Sequence, residues 1–140
     1  MKLSAVNPRY RSQVIAKLQG KPHTPGRAKA RPAHEAGKMN RTEAAYSQWL
    51  NGLIHEGVIR EWIFEPLKFR LADKTFYTPD FLVIRTDDLI EFHEVKGANR
   101  RGPLWEDDAR VKIKVAAEAF PLFTFKAVWK IDGQWKTELI

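Results

Sequence analysis

Residues 77–97 read YTPDFLVIRTDDLIEFHEVKG, two runs rich in aromatic and β-branched residues with a short polar connection between them. Such runs favour β-strands, and the Thr-Asp-Asp connection at residues 86–88 is typical of a turn that closes a hairpin. The sequence therefore predicts two antiparallel strands, at residues 76–85 and 89–96. Pro79 has no N–H with which to bond a neighbouring strand, so we expect the first strand to be interrupted or bent there.

Three charged side chains of this stretch are candidates for chemistry. Side chains alternate between the faces of a strand, so Glu94 and Lys96 share one face. Glu91 and His93 face the other way, where we expect packed or surface residues. Antiparallel pairing would bring Asp80 beside the end of the second strand.

The end of a buried strand face is an unfavourable place for unpaired charges. Such charges need a partner or a metal, and Mg²⁺ and Mn²⁺ bind carboxylate oxygens. We therefore expect Asp80 and Glu94 to bind a divalent cation, with Lys96 orienting a water and stabilising charge at a phosphorus atom. The alternative is a turn aspartate followed by an ordinary solvated strand face.

The charged motifs resemble those of a known family. The Pro-Asp pair at residues 79–80 and the Glu-Val-Lys at residues 94–96 are similar to the two elements of the PD-(D/E)xK nuclease superfamily. Together with the Lys-Ile-Lys at residues 112–114, they resemble small phage and prophage nucleases of that superfamily, some of which are resolvase-like. The resemblance extends over residues 40–129.

The resemblance implies both a fold and a chemistry. The fold is an α/β, restriction-endonuclease-like αβββαβ core, in which helices flank a mixed central sheet. The chemistry is hydrolysis of DNA phosphodiester bonds, with Mg²⁺ or Mn²⁺ held by Asp80, Glu94 and the backbone carbonyl of Val95. The expected substrate is branched DNA, such as a Holliday junction, or single-stranded DNA in phage DNA processing or recombination. A four-way junction offers two related strands, so a homodimer is expected by analogy.

Glu43 has two open interpretations. An acid on the first helix often completes the metal site in this superfamily, which would make Glu43 a third ligand or an orienter of the metal-bound water. Glu43 also follows Asn40 by three residues, the spacing of a capping box in which the carboxylate accepts the Asn40 N–H. We include Glu43 among the candidate catalytic residues.

Four basic side chains are candidates for DNA contacts. The similar phage nucleases carry lysines on the second helix, which correspond to Lys112 or Lys114 without a choice between them. Arg100 and Arg101 lie on the loop just after the proposed site, where they would hold the scissile strand. A solvated helix face and an ordinary basic loop are the alternatives.

The apolar pattern predicts the order of the elements. Helical spacing begins after Asn40 and stops at Gly57, and Pro121 ends a second helical stretch. A turn at residues 71–74 separates the first two strands. The predicted elements are a helix at residues 42–57, strands at 61–70, 76–85 and 89–96, a helix at 105–120, and strands at 122–130 and 134–139.

The positive charge of the chain is confined to one segment. The net charge is +7, yet residues 41–140 hold fifteen Lys or Arg and sixteen acids, whereas residues 1–40 hold nine Lys or Arg and one acid. Prolines and glycines are frequent in the same segment. We therefore predict an extended or disordered basic arm at residues 1–39 and a nuclease domain at residues 40–140. Such an arm would neutralise DNA phosphates; the alternative is a tail that aids solubility.

Absent residue types exclude several protein classes. The chain has no cysteine, which excludes disulfides, cysteine-based zinc sites and iron–sulfur clusters. It has neither an apolar run of about 18 residues nor a signal peptide, so we expect an intracellular, cytoplasmic protein without membrane contact, in a bacterial cell if it is phage-encoded. Rival functions are a non-catalytic DNA- or RNA-binding protein, an RNase, and a nuclease that works only with a partner subunit.

Overall fold

The computed structural model describes residues 34–140, which form one compact unit. The predicted basic arm, residues 1–39, lies outside these residues except for its last six. The elements of the described part are α1 (Arg41–His55), β1 (Ile59–Phe64), β2 (Phe69–Ala72), β3 (Thr75–Tyr77), β4 (Phe81–Arg85), β5 (Ile90–Lys96), β6 (Ala98–Asn99), β7 (Gly102–Pro103), α2 (Asp107–Ala119), β8 (Thr124–Ile131) and β9 (Gln134–Leu139).

A five-stranded sheet organises the fold. Its strand order is β1-β4-β5-β8-β9, and neighbouring strands are antiparallel except for the parallel pair β5–β8. A parallel pair needs a crossover connection, and α2 provides it. The described residues are therefore a mixed α/β structure with a mostly antiparallel sheet and two helices.

The two helices cover opposite faces of the sheet. Val95 of β5 belongs to one core cluster with Tyr46 and Leu50 of α1. Phe92 of the same strand belongs to a second cluster with Ile113 of α2. Because residues 92 and 95 differ in parity, they point to opposite faces of the strand.

The hairpin that contains the first two predicted strands is bent in its middle. The expected single strand at residues 61–70 is wrong, because Glu65 has a left-handed φ of 44° and Pro66 follows it, which separates β1 from β2. On the facing side, the interruption expected at Pro79 separates β3 from β4. The N–H of Glu65 donates to the carbonyl of Asp80 at 2.8 Å, so the two breaks face each other. The β2–β3 half of the hairpin packs against α2.

The other predicted elements are confirmed, with ends that move by one or two residues. The small β6–β7 hairpin directly after β5 was not predicted. None of the helices in residues 34–140 is both long and apolar enough to cross a membrane.

Candidate active site

Asp80 lies at the bend of the hairpin, immediately before β4. The register pairs Phe81 with His93, so Asp80 falls opposite Glu94. Its Oδ2 accepts a hydrogen bond from the backbone N–H of Val95 at 2.7 Å. Antiparallel pairing thus brings Asp80 beside the end of β5, as the sequence predicts.

Glu94 is buried on the α2 face of the sheet, where two donors hold its carboxylate. The Tyr77 hydroxyl donates to Oε2 at 3.0 Å, and the Lys96 ammonium donates to Oε1 at 2.7 Å. Lys96 and Glu94 share one face, which confirms the expected alternation. Two donors on two oxygens fix the rotation of the carboxylate group.

The charges of the site act on one another. Burial raises the pKa of Asp80 well above its ordinary value, and the Glu94 charge raises it further, against the Val95 hydrogen bond and the Lys96 charge. Burial lowers the pKa of Lys96, but the charge and hydrogen bond of Glu94, together with the charges of Asp80 and Glu106, outweigh burial and the pKa of Lys96 is raised. Lys96 is therefore a protonated hydrogen-bond donor. The raised pKa of Asp80 reflects burial first and the neighbouring Glu94 and Glu43 charges second, and a bound cation would oppose both effects by favouring the ionised carboxylate.

Glu43 is buried at the start of α1, and each of its two interpretations has a structural counterpart. Its Oε2 accepts the Asn40 N–H at 2.8 Å and its Oε1 accepts the Asn40 side-chain amide at 2.7 Å, so the capping box is present. Burial raises the pKa of Glu43, the Asn40 bond opposes this, and the Glu94 charge adds to the rise. Glu43 in turn contributes to the raised pKa of Asp80. The capping hydrogen bonds therefore fix the Glu43 carboxylate, which interacts electrostatically with both Asp80 and Glu94.

The oxygen atoms at this place suit a hard divalent cation. Carboxylate and backbone carbonyl oxygens are the ligands that Mg²⁺ and Mn²⁺ prefer. The N–H and C=O of a strand residue point to the same side, so the carbonyl of Val95 is directed to the Asp80 side like its N–H. Within residues 34–140 no three acidic or histidine side chains converge closely enough to form a metal site by themselves. A cation here would take two carboxylates, from Asp80 and Glu94, and the Val95 carbonyl, leaving positions for water and substrate.

Two side chains that the sequence pattern did not single out support the charged residues. One is Tyr77, the donor to Glu94. The other is Trp105, whose ring centroid lies 5.3 Å from Lys96 Nζ and 5.1 Å from Arg110 Cζ. The indole N–H of Trp105 is buried and has no hydrogen-bond partner in the described part of the chain. Tyr77 had one signal in the sequence, its position directly before the Thr-Pro-Asp motif, and Trp105 had none.

The candidate arginines are close to the site in sequence and exposed. Arg100 and Arg101 form the turn of the β6–β7 hairpin, which begins two residues after Lys96. A hydrogen bond from the Leu104 N–H to the Gly97 carbonyl, at 2.8 Å, closes the base of this hairpin. The turn that carries both arginines therefore follows closely on the end of β5 in the chain.

The candidate lysines lie on α2. Lys112 forms an ion pair of 3.6 Å with Asp108, one turn earlier, and Lys114 is half-buried. In residues 34–140 neither ammonium bonds to the acidic pair, and Lys96 is the cation that does.

The opposite face of β5 carries a buried polar network. The Tyr46 hydroxyl is 2.8 Å from Nδ1 of His93, and Nε2 of His93 is 2.8 Å from Oε2 of Glu91. Lys126 donates to the other Glu91 oxygen at 2.7 Å. His93 therefore contacts α1 through Tyr46, and both His93 and Glu91 are buried and face away from Glu94, as strand alternation predicts.

No protein-family model matches the chain, and comparisons with curated proteins and with solved structures found no match either.

Proposed function

We propose that this protein is a divalent-metal-dependent deoxyribonuclease that hydrolyses phosphodiester bonds in DNA. The observation that carries the proposal is the convergence of Asp80, Glu94 and Lys96 at the end of β5. Two acids beside a held ammonium supply the metal ligands and the cationic donor that phosphodiester hydrolysis needs. A mixed sheet with a helix on each face and one parallel pair is also what a restriction-endonuclease-like core requires, and we propose that core for this chain.

Each residue has a role in this proposal. Asp80, Glu94 and the Val95 carbonyl hold Mg²⁺ or Mn²⁺, which when bound lowers the pKa of a coordinated water and polarises the phosphate. Lys96 donates a hydrogen bond to the attacking water and stabilises the negative charge that develops on the phosphate oxygens. Tyr77 keeps the Glu94 carboxylate in one orientation, and Glu43 is proposed to orient metal-bound water.

The proposed substrate is defined by DNA structure and not by base sequence. Residues 34–140 contain one unit with no second domain for reading bases, and arginines at a hairpin turn contact backbone phosphates without sequence information. We propose a structure-selective endonuclease for branched, flapped or single-stranded DNA. Paired cuts at a four-way junction would be made by a homodimer, by analogy.

The test is cleavage of labelled Holliday junction, flap, single-stranded and duplex DNA with Mg²⁺, Mn²⁺ or EDTA. We expect metal-dependent cutting that Asp80→Ala and Lys96→Ala each reduce by about 100-fold or more, with DNA binding retained. Asp73→Ala and Lys68→Ala are matched controls, since both are exposed on the β2–β3 side, and they should cut like the wild type.

One observation favours a rival, a non-catalytic nucleic-acid-binding protein. The carboxylates of Glu94 and Glu43 are each engaged on both oxygens by donors of the chain itself, as in a structural cluster. This rival predicts metal-independent binding, no cutting of DNA or RNA, and no effect of Asp80→Ala. Cutting of RNA alone would assign an RNase, and cutting only in the presence of a second protein would assign a partner-dependent nuclease.

A further inference from the structure

A cleft of about 650 Å³ lies between α1 and the β8–β9 hairpin. Trp49 of α1 and Trp135 of β9 line it, with ring centroids 6.4 Å apart. Trp49 remains 40% exposed although it stacks on Tyr46 at 5.6 Å. Lys130 adds a cation, since its Nζ is 5.7 Å from the centroid of the Trp135 ring.

The rest of the lining is small or polar and uncharged. It consists of Ala45, Gln48, Gly133 and Gln134, so none of the described lining residues is acidic. The cleft thus offers aromatic surfaces, one ammonium, and side-chain amides that can both donate and accept hydrogen bonds. This combination suits a flat, polar-edged ring with negative charge nearby, and not a plain apolar side chain.

The cleft lies at the same end of the sheet as the candidate active site. Lys96 of β5 pairs with Trp129 of β8, and the next residue of β8, Lys130, pairs with Trp135 of β9. Neighbouring strands are about 4.8 Å apart, so Trp135 is about 10 Å from β5 across the sheet. The cleft is on the α1 face and Glu94 is on the α2 face. A strand bound at the acidic pair would reach the cleft by passing over the end of β8.

We propose that the cleft binds one unpaired nucleobase from a DNA strand whose backbone passes the acidic pair. The base stacks on the exposed ring of Trp49 and its edge contacts Trp135, whose ring is tilted by 43°. Stacking on aromatic side chains next to a cation is how proteins hold single-stranded DNA without regard to sequence. The Gln48 amide is available to the edge of the base. A base inside a duplex is covered by its neighbours on both faces, so the cleft selects single-stranded and flapped DNA. The inference rests on the proposed function for the path of the strand.

The experiment uses the full-length chain carrying Asp80→Asn, in EDTA, so that no cleavage is required. A single-stranded oligonucleotide with one 5-iodouracil is cross-linked by ultraviolet light and the modified peptide is identified. Affinities for unmodified single-stranded and duplex DNA are measured by fluorescence anisotropy. Trp49→Ala and Lys130→Gln are added to this background, with Leu89→Ala and Lys68→Gln as exposed controls outside the cleft.

We expect the cross-link at Trp49 or Trp135. Trp49→Ala should weaken single-strand binding by about 5- to 100-fold, Lys130→Gln should weaken it less, and duplex affinity and both controls should be unchanged. Equal loss for single-stranded and duplex DNA, unchanged affinity in both cleft variants, or a cross-link confined to other peptides would overturn the inference. A wild-type chain that cross-links at Trp49 but cuts nothing would support the cleft and refute the nuclease.

Discussion

At the scale of single residues, the hydroxyl of Tyr77 is one of the two donors that hold the carboxylate of the proposed metal ligand Glu94. We expect Tyr77→Phe to raise the Mg²⁺ concentration for half-maximal cleavage by about 10- to 100-fold, because a ligand carboxylate without its outer hydrogen bond is less well oriented. The measurement is a Mg²⁺ titration of the cleavage rate at fixed DNA.

Tyr46→Phe is the matched control for this change. It also removes a buried tyrosine hydroxyl, but one that bonds to His93 on the other face of β5. It should lower the free energy of unfolding by about 1 kcal/mol and leave the Mg²⁺ dependence unchanged. Equal shifts in both variants would mean that Tyr77 acts through folding and not through Glu94.

The sequence was sufficient for some of these residues and not for others. Glu94 and Lys96 could be assigned to one face because strand alternation is local, and Asp80 could be placed because one turn sets the hairpin register. Tyr77 reaches Glu94 only because the hairpin bends over α2. Trp105 reaches Lys96 only through the path of the loop after β5. Such contacts depend on how elements pack, which no short window of sequence encodes.

At the scale of elements, the start of α1 joins a cap to the candidate site. Glu43→Gln keeps one oxygen that can accept the Asn40 N–H of the capping box, loses the second acceptor, which the Asn40 side-chain amide uses, and removes the charge beside Asp80 and Glu94. We expect it to reduce the cleavage rate by about 10-fold and to lower stability by less than Asn40→Ala does. Asn40→Ala should instead cost about 1 kcal/mol of stability and retain cleavage at saturating Mg²⁺. Full activity in Glu43→Gln would mean that Glu43 caps the helix and has no role in cleavage.

The network on the α1 face of β5 makes stability depend on pH. Burial raises the pKa of Glu91, but the bonds from His93 and Lys126 outweigh it and lower the pKa to about 2 from an ordinary 4.5. A lowered carboxyl pKa stabilises the fold above pH 4.5, and this stabilisation is lost as the pH falls through about 2.

Glu91→Gln tests this linkage. The variant should be less stable than the wild type by about 2 kcal/mol at pH 7, and the difference should shrink steadily below pH 4.5. Urea unfolding at constant ionic strength measures it. Comparison of the two chains cancels the contribution of the other carboxyl groups, so a difference that stays constant down to pH 2.5 would contradict the lowered pKa.

The element order was predictable, but the split of the first strand was not. Residues 61–70 are apolar enough to predict one strand, and Pro66 in that run was the signal against it. The break matters because Glu65 bonds to the carbonyl of Asp80 and so sets the point at which the hairpin bends. The interruption at Pro79 was predicted correctly, because Pro79 directly precedes Asp80 in the charged motif and drew attention to its missing N–H.

At the scale of the whole molecule, the distribution of charge separates the two parts of the chain. Residues 1–33 hold eight of the 24 Lys and Arg and no acid, whereas residues 34–140 hold sixteen Lys or Arg and seventeen acids. A unit with so little net charge gains little affinity for DNA from its overall field. We therefore expect most of the electrostatic affinity to come from residues 1–33.

A full-length variant with these eight basic residues changed to Gln tests this expectation. Each phosphate contact adds about 0.9 to the slope of log affinity against log salt for duplex DNA, so the slope should fall by up to about 7. Cleavage at saturating DNA should remain, because the acidic pair and Lys96 are untouched. A control with Lys68 and Lys136 changed to Gln should lower the slope by no more than about 2. An unchanged slope in the variant with eight substitutions would mean that the basic segment is a solubility tail. The DNA affinity would then come from Arg100, Arg101 and the second helix.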